Sequence, residues 1–141
     1  MGAASSGRDV VYMLASEIDA HVWDEFPEFA LSDPAHTSII AERASLMPER
    51  WWIHCVSNRI AGEDDLATCL GVAMLAKPTV ILFAATHGIT ASARRFASQV
   101  NATTGTRFLA LDMNDLDRIK TSPDALPDLL RERLMASATT V

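Results

Sequence analysis

The stretch that decides the fold of this chain is residues 77 to 117, KPTVILFAATHGITASARRFASQVNATTGTRFLALDMNDLD. Its run from Thr79 to Ala85 is short, apolar and rich in β-forming residues, which is typical of a strand buried on both faces. Thr90 is a candidate N-cap, and an apolar stripe with helical spacing follows it: Ala93, Phe96, Ala97 and Val100. Arg107 to Leu111 reads as a second strand. Strand, helix and strand in this order predict a βαβ unit with a right-handed crossover.

The residues on either side of this unit predict further helices and strands. We expect a helix at Asp9–Val22 with Asp9 as its N-cap, an edge strand around Phe26–Leu31, strands at Thr37–Ala41 and Arg50–Val56, and helices at Ala61–Ala76 and Asp128–Ala136. The short connection between the second and third strands predicts that they form an antiparallel hairpin. Apolar residues cover more than one side of the helix at Ala61–Ala76, which favours contact with a protein partner or a second copy of the chain.

Length and composition are those of one globular domain. The chain has 141 residues, of which 49% are hydrophobic and 21% charged, enough for a sizeable core. We expect a disordered segment at 1–8, a single domain at 9–136 and a tail at 137–141. The sequence has neither an apolar run long enough to span a bilayer nor a signal-peptide pattern at its start. We therefore expect no membrane contact and a cytoplasmic location.

The two cysteines, Cys55 and Cys69, lie in apolar surroundings, which predicts buried reduced thiols. No Cys/His spacing typical of a metal site occurs, so no metal ligand is predicted. The net charge of −6 argues against tight, independent DNA binding, because phosphate contacts dominate that affinity. Residues 1–78 hold 5 basic and 12 acidic residues, a balance of −7, whereas residues 79–141 hold 7 basic and 6 acidic residues, a balance of +1, so any DNA contact is expected through the C-terminal half. The candidate nucleic-acid-binding residues are Arg59, Arg94, Arg95 and Arg107.

The same stretch resembles the Mrr-like branch of the restriction-endonuclease-like, or PD-(D/E)XK, superfamily. Two groups of positions carry the resemblance: Thr90, Ala93, Phe96 and Ala97 in the helix, and Leu111, Asp112, Leu116 and Ile119 after it. The glycine that the family has after the aspartate is replaced by Met113-Asn114. The resemblance implies an α/β fold with a restriction-endonuclease-like core, a mixed sheet of about five strands flanked by helices.

The resemblance also implies where catalytic residues would lie. In the superfamily, an acidic residue on the second strand and a Glu or Gln on the third hold Mg²⁺, and a Lys follows two residues later. Those positions are occupied here by Ser38, His54 and Val56. Serine and valine supply neither a carboxylate nor a cation, and histidine is a poor ligand for a hard cation. The expectation is a nuclease-related domain without cleavage and without a cofactor, acting in nucleic-acid binding or in assembly of a defence or DNA-processing system.

Two alternatives remain open from the sequence. The first is an active Mg²⁺-dependent endonuclease whose acids have moved, with Asp33, Glu42 and His54 converging as catalytic residues. The second is a nucleotide-handling α/β domain, because acidic residues 63–65, an apolar helix and Lys77-Pro78 are also similar to Toll/interleukin-receptor-like and nucleoside-transferase-like folds. Strand order separates them, since the second alternative requires an all-parallel sheet.

Overall fold

A computed structural model describes residues 7–22, 29–30, 35–44, 47–122 and 124–139. In chain order the elements are α1 (Gly7–Glu17), β1 (His21–Val22), β2 (Phe29–Ala30), β3 (His36–Arg43), β4 (Glu49–Val56), α2 (Glu63–Ala73), β5 (Val80–Ala85), α3 (Ala91–Thr103), β6 (Arg107–Leu111), α4 (Met113–Thr121) and α5 (Ala125–Thr139). A short 3-10 helix, Met74–Ala76, follows α2 directly. None of the described helices is long and apolar enough to cross a membrane.

The strands form one mixed sheet in the order β1-β3-β4-β5-β6, and the two-residue β2 also pairs with β3. β3 and β4 are antiparallel along their full lengths, so the predicted hairpin is confirmed. β4, β5 and β6 run parallel to one another. The predicted fold class, an α/β fold with a mixed sheet flanked by helices, is confirmed.

The βαβ unit at 77–117 forms as predicted. Every residue of β5 is buried, because helices cover both faces of this interior strand. Thr90 caps α3, where its hydroxyl oxygen accepts a hydrogen bond from the backbone amide of Ala93 at 3.1 Å. One packing detail differs, because Phe96 is only partly buried. The helix turns Ala93, Ala97 and Val100 towards the sheet, and Phe96 lies at the margin of that stripe.

Helices on the two faces of the sheet enclose separate hydrophobic cores. On one face α1, α4 and α5 pack against a layer that includes Ile39, Ile53 and Leu82. On the other face α2 and α3 pack against Trp52 and Phe83 with their neighbours. Both cysteines are buried and free of disulfides, as predicted. Burial raises the pKa of Cys55 to about 12 and also raises the pKa of Cys69, so both remain neutral thiols.

The N-terminal helix differs from its prediction at both ends. It begins at Gly7, so Asp9 lies within the first turn and is not the N-cap. It ends at Glu17, because Asp19 adopts a left-handed conformation with φ of 54° and turns the chain. The last predicted helical residues, His21 and Val22, pair with β3 instead as β1.

The other predicted bounds lie partly outside the described residues. The predicted disordered segment 1–8 is described only at residues 7 and 8, which belong to α1. The predicted edge strand at 26–31 is described only at 29–30, where β2 lies. The final helix is longer than predicted and includes residues 137–139 of the expected tail.

The helix predicted at Ala61–Ala76 is shorter than expected, and its fully buried residues lie on one side only. α2 begins at Glu63, and a 3-10 turn replaces its last three predicted residues. Lys77, with φ of 51°, then turns the chain into β5. Two apolar residues of the 3-10 turn point outward, since Met74 is 45% exposed and Leu75 is 85% exposed, whereas Ala76 packs against the core. The helix itself is buried along one stripe, Leu66, Cys69 and Ala73.

Candidate functional site

The residues that the sequence resemblance places at catalytic positions lie on neighbouring strands in the middle of the sheet. Ser38 on β3 is directly opposite His54 on β4, and His36 is opposite Val56. Because side chains alternate along a strand, all four residues lie on the face covered by α2 and α3. Each of them is buried, and Ser38, His54 and Val56 have no exposed surface. The positions are therefore part of the core and not of an open cleft.

His54 belongs to a chain of hydrogen bonds that runs from the core to the surface, which we call the histidine chain: Trp52, His54, His36, Asp65 and Arg59. The indole Nε1 of Trp52 donates to Nδ1 of His54 at 3.2 Å. Nε2 of His54 lies 2.7 Å from Nδ1 of His36, and Nε2 of His36 lies 3.0 Å from Oδ1 of Asp65. Nη2 of Arg59 donates to the same carboxylate oxygen at 2.5 Å. Arg59 is the exposed end, with 43% of its side chain accessible.

The indole of Trp52 fixes the direction of the hydrogen bonds that lead from it through the two histidines to Asp65. An indole N–H can only donate, so Nδ1 of His54 must accept and carries no proton. A neutral His54 then has its proton on Nε2, which donates to Nδ1 of His36. His36 in turn has its proton on Nε2 and donates it to Asp65. Both histidines are therefore neutral Nε2–H tautomers.

The electrostatics agree with a neutral His54 and an ionised Asp65. Burial, with a further contribution from His36, lowers the pKa of His54 to about 3, against a smaller opposing effect of Asp65. Burial alone would raise the pKa of Asp65, but hydrogen bonds from Arg59, the Gly62 amide and His36 together hold it below its usual value. The bond from the Gly62 amide, 3.0 Å to Oδ2 of Asp65, also caps α2. The chain thus ends on an ionised carboxylate paired with a guanidinium.

This arrangement leaves the histidines without the means for metal or base catalysis. Each neutral imidazole has one nitrogen lone pair, and both lone pairs already accept a hydrogen bond. Ser38 and Val56 supply neither a carboxylate nor a cation, so these positions do not fit Mg²⁺, which prefers oxygen ligands. Among the described residues, no group of three or more His, Cys, Asp and Glu side chains is placed to hold a metal ion. The hydroxyl of Ser38 is buried and makes no hydrogen bond within the described part of the chain.

Glu42, the described acid of the relocated site, is not brought to His54. Glu42 pairs with Arg50 in the register, whereas His54 pairs with Ser38. Glu42 and Ser38 are four residues apart on β3, which corresponds to about 13 Å along the strand. Asp33 lies outside the described residues. Within the described structure, therefore, Glu42 and His54 do not form a pair.

The four candidate DNA-binding arginines are exposed, but they do not all lie at the same end of the parallel strands. Arg59 follows β4 and Arg94 is in the first turns of α3, which follows β5, so both lie at the carboxyl edge of the parallel strands. Arg107 begins β6 and lies at the opposite edge. Arg59 and Arg94 are each paired with a carboxylate, that of Asp65 and that of Asp112 respectively.

Sequence reasoning identified His54 but missed its partners. The signal for His36 was present, because pairing Ser38 with His54 places His36, two residues earlier on the same face, beside His54. Asp65 entered the sequence analysis only as one of the acidic residues 63–65 of the nucleotide-handling alternative. No sequence pattern indicates that the first turn of α2 lies over β3, because that placement depends on how the helix packs on the sheet.

A scan against models of protein families and a search of curated proteins both give no match to this chain.

Proposed function

We propose that this chain is a nuclease-related domain of restriction-endonuclease-like type that has lost cleavage and serves in assembly. One observation carries the proposal: at the position of a metal-binding acid, His54 has both ring nitrogens occupied inside a closed hydrogen-bond chain. Hydrolysis of a phosphodiester needs an activated water and neutralisation of charge on the phosphate. Ser38, His54 and Val56 provide neither. The order of elements and the mixed sheet support the kinship.

Assembly is favoured over nucleic-acid binding by the distribution of charge. The net charge is −6, and the candidate arginines are divided between two edges of the sheet. Two of these arginines, Arg59 and Arg94, already neutralise carboxylates, which reduces what they can offer a phosphate backbone. A protein partner or a second copy of the chain is therefore the proposed ligand. The wider setting that we propose is a cytoplasmic defence or DNA-processing system.

The alternatives have less support. An active Mg²⁺-dependent endonuclease would require carboxylates near His54, and Glu42 lies at the other end of β3. A nucleotide-handling domain of Toll/interleukin-receptor-like or nucleoside-transferase-like type would require an all-parallel sheet, whereas β3 and β4 are antiparallel.

A cleavage assay tests the loss of activity. The purified chain is incubated with supercoiled plasmid and with single-stranded DNA and RNA, in the presence of Mg²⁺ or Mn²⁺, beside an active Mg²⁺-dependent nuclease. We expect no cleavage above the no-protein control. Cleavage by the wild type that is lost in Glu42→Ala or Asp33→Ala, with the fold intact by circular dichroism, would instead establish the relocated site. Cleavage that both variants retain would indicate a contaminating nuclease, which repurification must remove before the assay is scored.

A further inference from the structure

The histidine chain has a directional order that a single added proton cannot preserve. If His36 gains a proton on Nδ1, that nitrogen faces the Nε2–H of His54 across 2.7 Å, and two donors oppose each other. His54 can relieve this conflict by moving its own proton to Nδ1. Nδ1 then faces the indole N–H of Trp52, which cannot accept a hydrogen bond. One added proton therefore breaks one of the two internal bonds whichever tautomer His54 adopts.

The outer end of the chain is open to solvent. A surface cleft of about 490 Å³ lies over it, lined by Arg59, Ile60, Gly62, Glu63, Asp64 and Asp65. The same residues form the corner at which the loop after β4 enters α2, and Asp65 holds this corner through its bonds to Gly62 and Arg59. A proton arriving from the cleft meets Asp65 and His36 before it meets the buried His54.

We propose that the histidine chain is a proton-sensitive switch that couples the corner at the start of α2 to the indole of Trp52 in the core. On acidification the pair of histidines takes up a proton, one of the two internal hydrogen bonds breaks, and the contact between His36 and Asp65 at the corner becomes an ion pair. This inference concerns regulation of a surface and goes beyond the proposed loss of cleavage. It holds whether or not the chain is related to nucleases.

The groups that face the two rings limit what else could respond to pH. On α2 these are Asp65 and the Cys69 thiol, which accepts a hydrogen bond from Trp52. The loop after β4 contributes Arg59. β5 contributes only the ring of Phe83, which stacks on His54 with centroids 5.6 Å apart. β2, which pairs with β3, carries no titratable residue. The cysteine is held neutral by burial, and the pKa values of His54 and Asp65 are both lowered, so none of these three groups changes charge in mild acid.

The test is a pH titration of the indole N–H resonance of Trp52 by two-dimensional ¹H–¹⁵N spectroscopy, assigned with a Trp52→Phe variant. Between pH 8 and pH 5, with far-ultraviolet circular dichroism unchanged, we expect a stepwise shift or loss of that resonance. His36→Asn should abolish the step. Asp65→Asn should move the step to lower pH, because it removes the negative charge that favours an imidazolium. His87→Gln, which changes an exposed histidine outside the chain, should leave the step unchanged.

Three outcomes overturn the proposal. The first is a Trp52 resonance that stays constant from pH 8 to pH 5 in the folded wild type. The second is a step that persists unchanged in both His36→Asn and Asp65→Asn. The third is a step that disappears in His87→Gln. If His36→Asn does not fold, Asp65→Asn decides alone, since a step at unchanged pH in that variant would remove the histidine chain as its cause.

Discussion

The side-chain amide of Asn101 forms two hydrogen bonds with the backbone of Phe108. Its Nδ2 donates to the carbonyl oxygen of Phe108 at 2.5 Å, and its Oδ1 accepts from the backbone amide at 2.7 Å. β6 is the last strand of the sheet, and Asn101 at the end of α3 gives it both bonds that a neighbouring strand would supply. Two residues further along, Nη1 of Arg133 donates to the carbonyl of Ala110 at 2.8 Å. Side chains thus form hydrogen bonds with backbone groups on the outer side of β6, which could otherwise pair with a strand of another chain.

Removal of this amide should both destabilise the fold and open the edge. We expect Asn101→Ala to lower the free energy of unfolding by about 1–3 kcal/mol, because two backbone groups lose their partner. Gln99→Ala, an exposed change on the same helix, should cost less than about 0.5 kcal/mol. Urea unfolding measures both values, and light scattering should detect aggregation of the Asn101 variant alone. Equal effects of the two substitutions would contradict the role given to Asn101.

Because Phe96 is only partly buried, its replacement by alanine should reduce the free energy of unfolding less than replacement of a fully buried phenylalanine. Phe83 has no exposed surface and stacks between His54 and Phe108, so Phe83→Ala should cost about 3–5 kcal/mol. Phe96→Ala should cost about 1–2 kcal/mol, in proportion to a smaller buried area. Arg95→Ala, at an exposed site on α3, should change stability by less than about 0.5 kcal/mol. Denaturant melts that rank Phe96→Ala above Phe83→Ala would contradict the orientation of α3.

Stability should fall with acidification because His54 is buried in its neutral form. The ordinary pKa of histidine is near 6.5, whereas that of His54 in the folded chain is lowered to about 3. Between these values the unfolded chain binds a proton that the folded chain does not, so this stabilisation is complete above pH 6.5 and is lost progressively as the pH falls towards 3. The slope near pH 5 should approach about 1.4 kcal/mol per pH unit from this group. Asp65 and Asp112, with lowered pKa values, add losses of the same sign only below about pH 4.

Urea unfolding at several pH values between 7.5 and 4.5 measures this slope. His54→Phe keeps a ring against Phe83 and removes the titrating group, so its stability should depend less on pH than that of the wild type. The exposed change His87→Gln serves as the matched control and should preserve the wild-type slope. A slope that is the same in His54→Phe and in the wild type would show that His54 is not its source.

The exposed apolar turn after α2 predicts self-association through that surface. Leu75 is 85% exposed beside Met74, an unusual position for two large apolar side chains in succession. We expect the wild type to form a homodimer at tens of micromolar, an order typical of weak interfaces, and Leu75→Ser to weaken that dimer at unchanged stability. Thr68→Ala, exposed on α2 itself, is the control. Sedimentation that gives a monomer for the wild type would contradict a homodimer, and the proposed partner would then be another protein.

Local patterns were sufficient to predict most of the fold. Three features depend only on residues that are close together in the sequence: the apolar run of β5, the cap at Thr90 and the apolar spacing in α3. The end of α1 could not be predicted in the same way, because the residues that follow Asp19 pair with β3, a strand distant in the sequence. The histidine chain was missed for a related reason. Its members come from two strands, a loop and a helix, and only their packing brings Asp65 to His36.

The central claim is that at neutral pH His54 is a neutral Nε2–H donor with no free lone pair to offer a metal ion. Long-range ¹H–¹⁵N spectra of the imidazole rings at pH 8 measure this most directly, since ring nitrogens with and without a proton resonate far apart. We predict that both His36 and His54 are Nε2–H tautomers, with Mg²⁺ leaving both spectra unchanged. A proton on Nδ1 of His54, or a shift of its nitrogens on addition of Mg²⁺, would contradict the histidine chain and the loss of cleavage that rests on it.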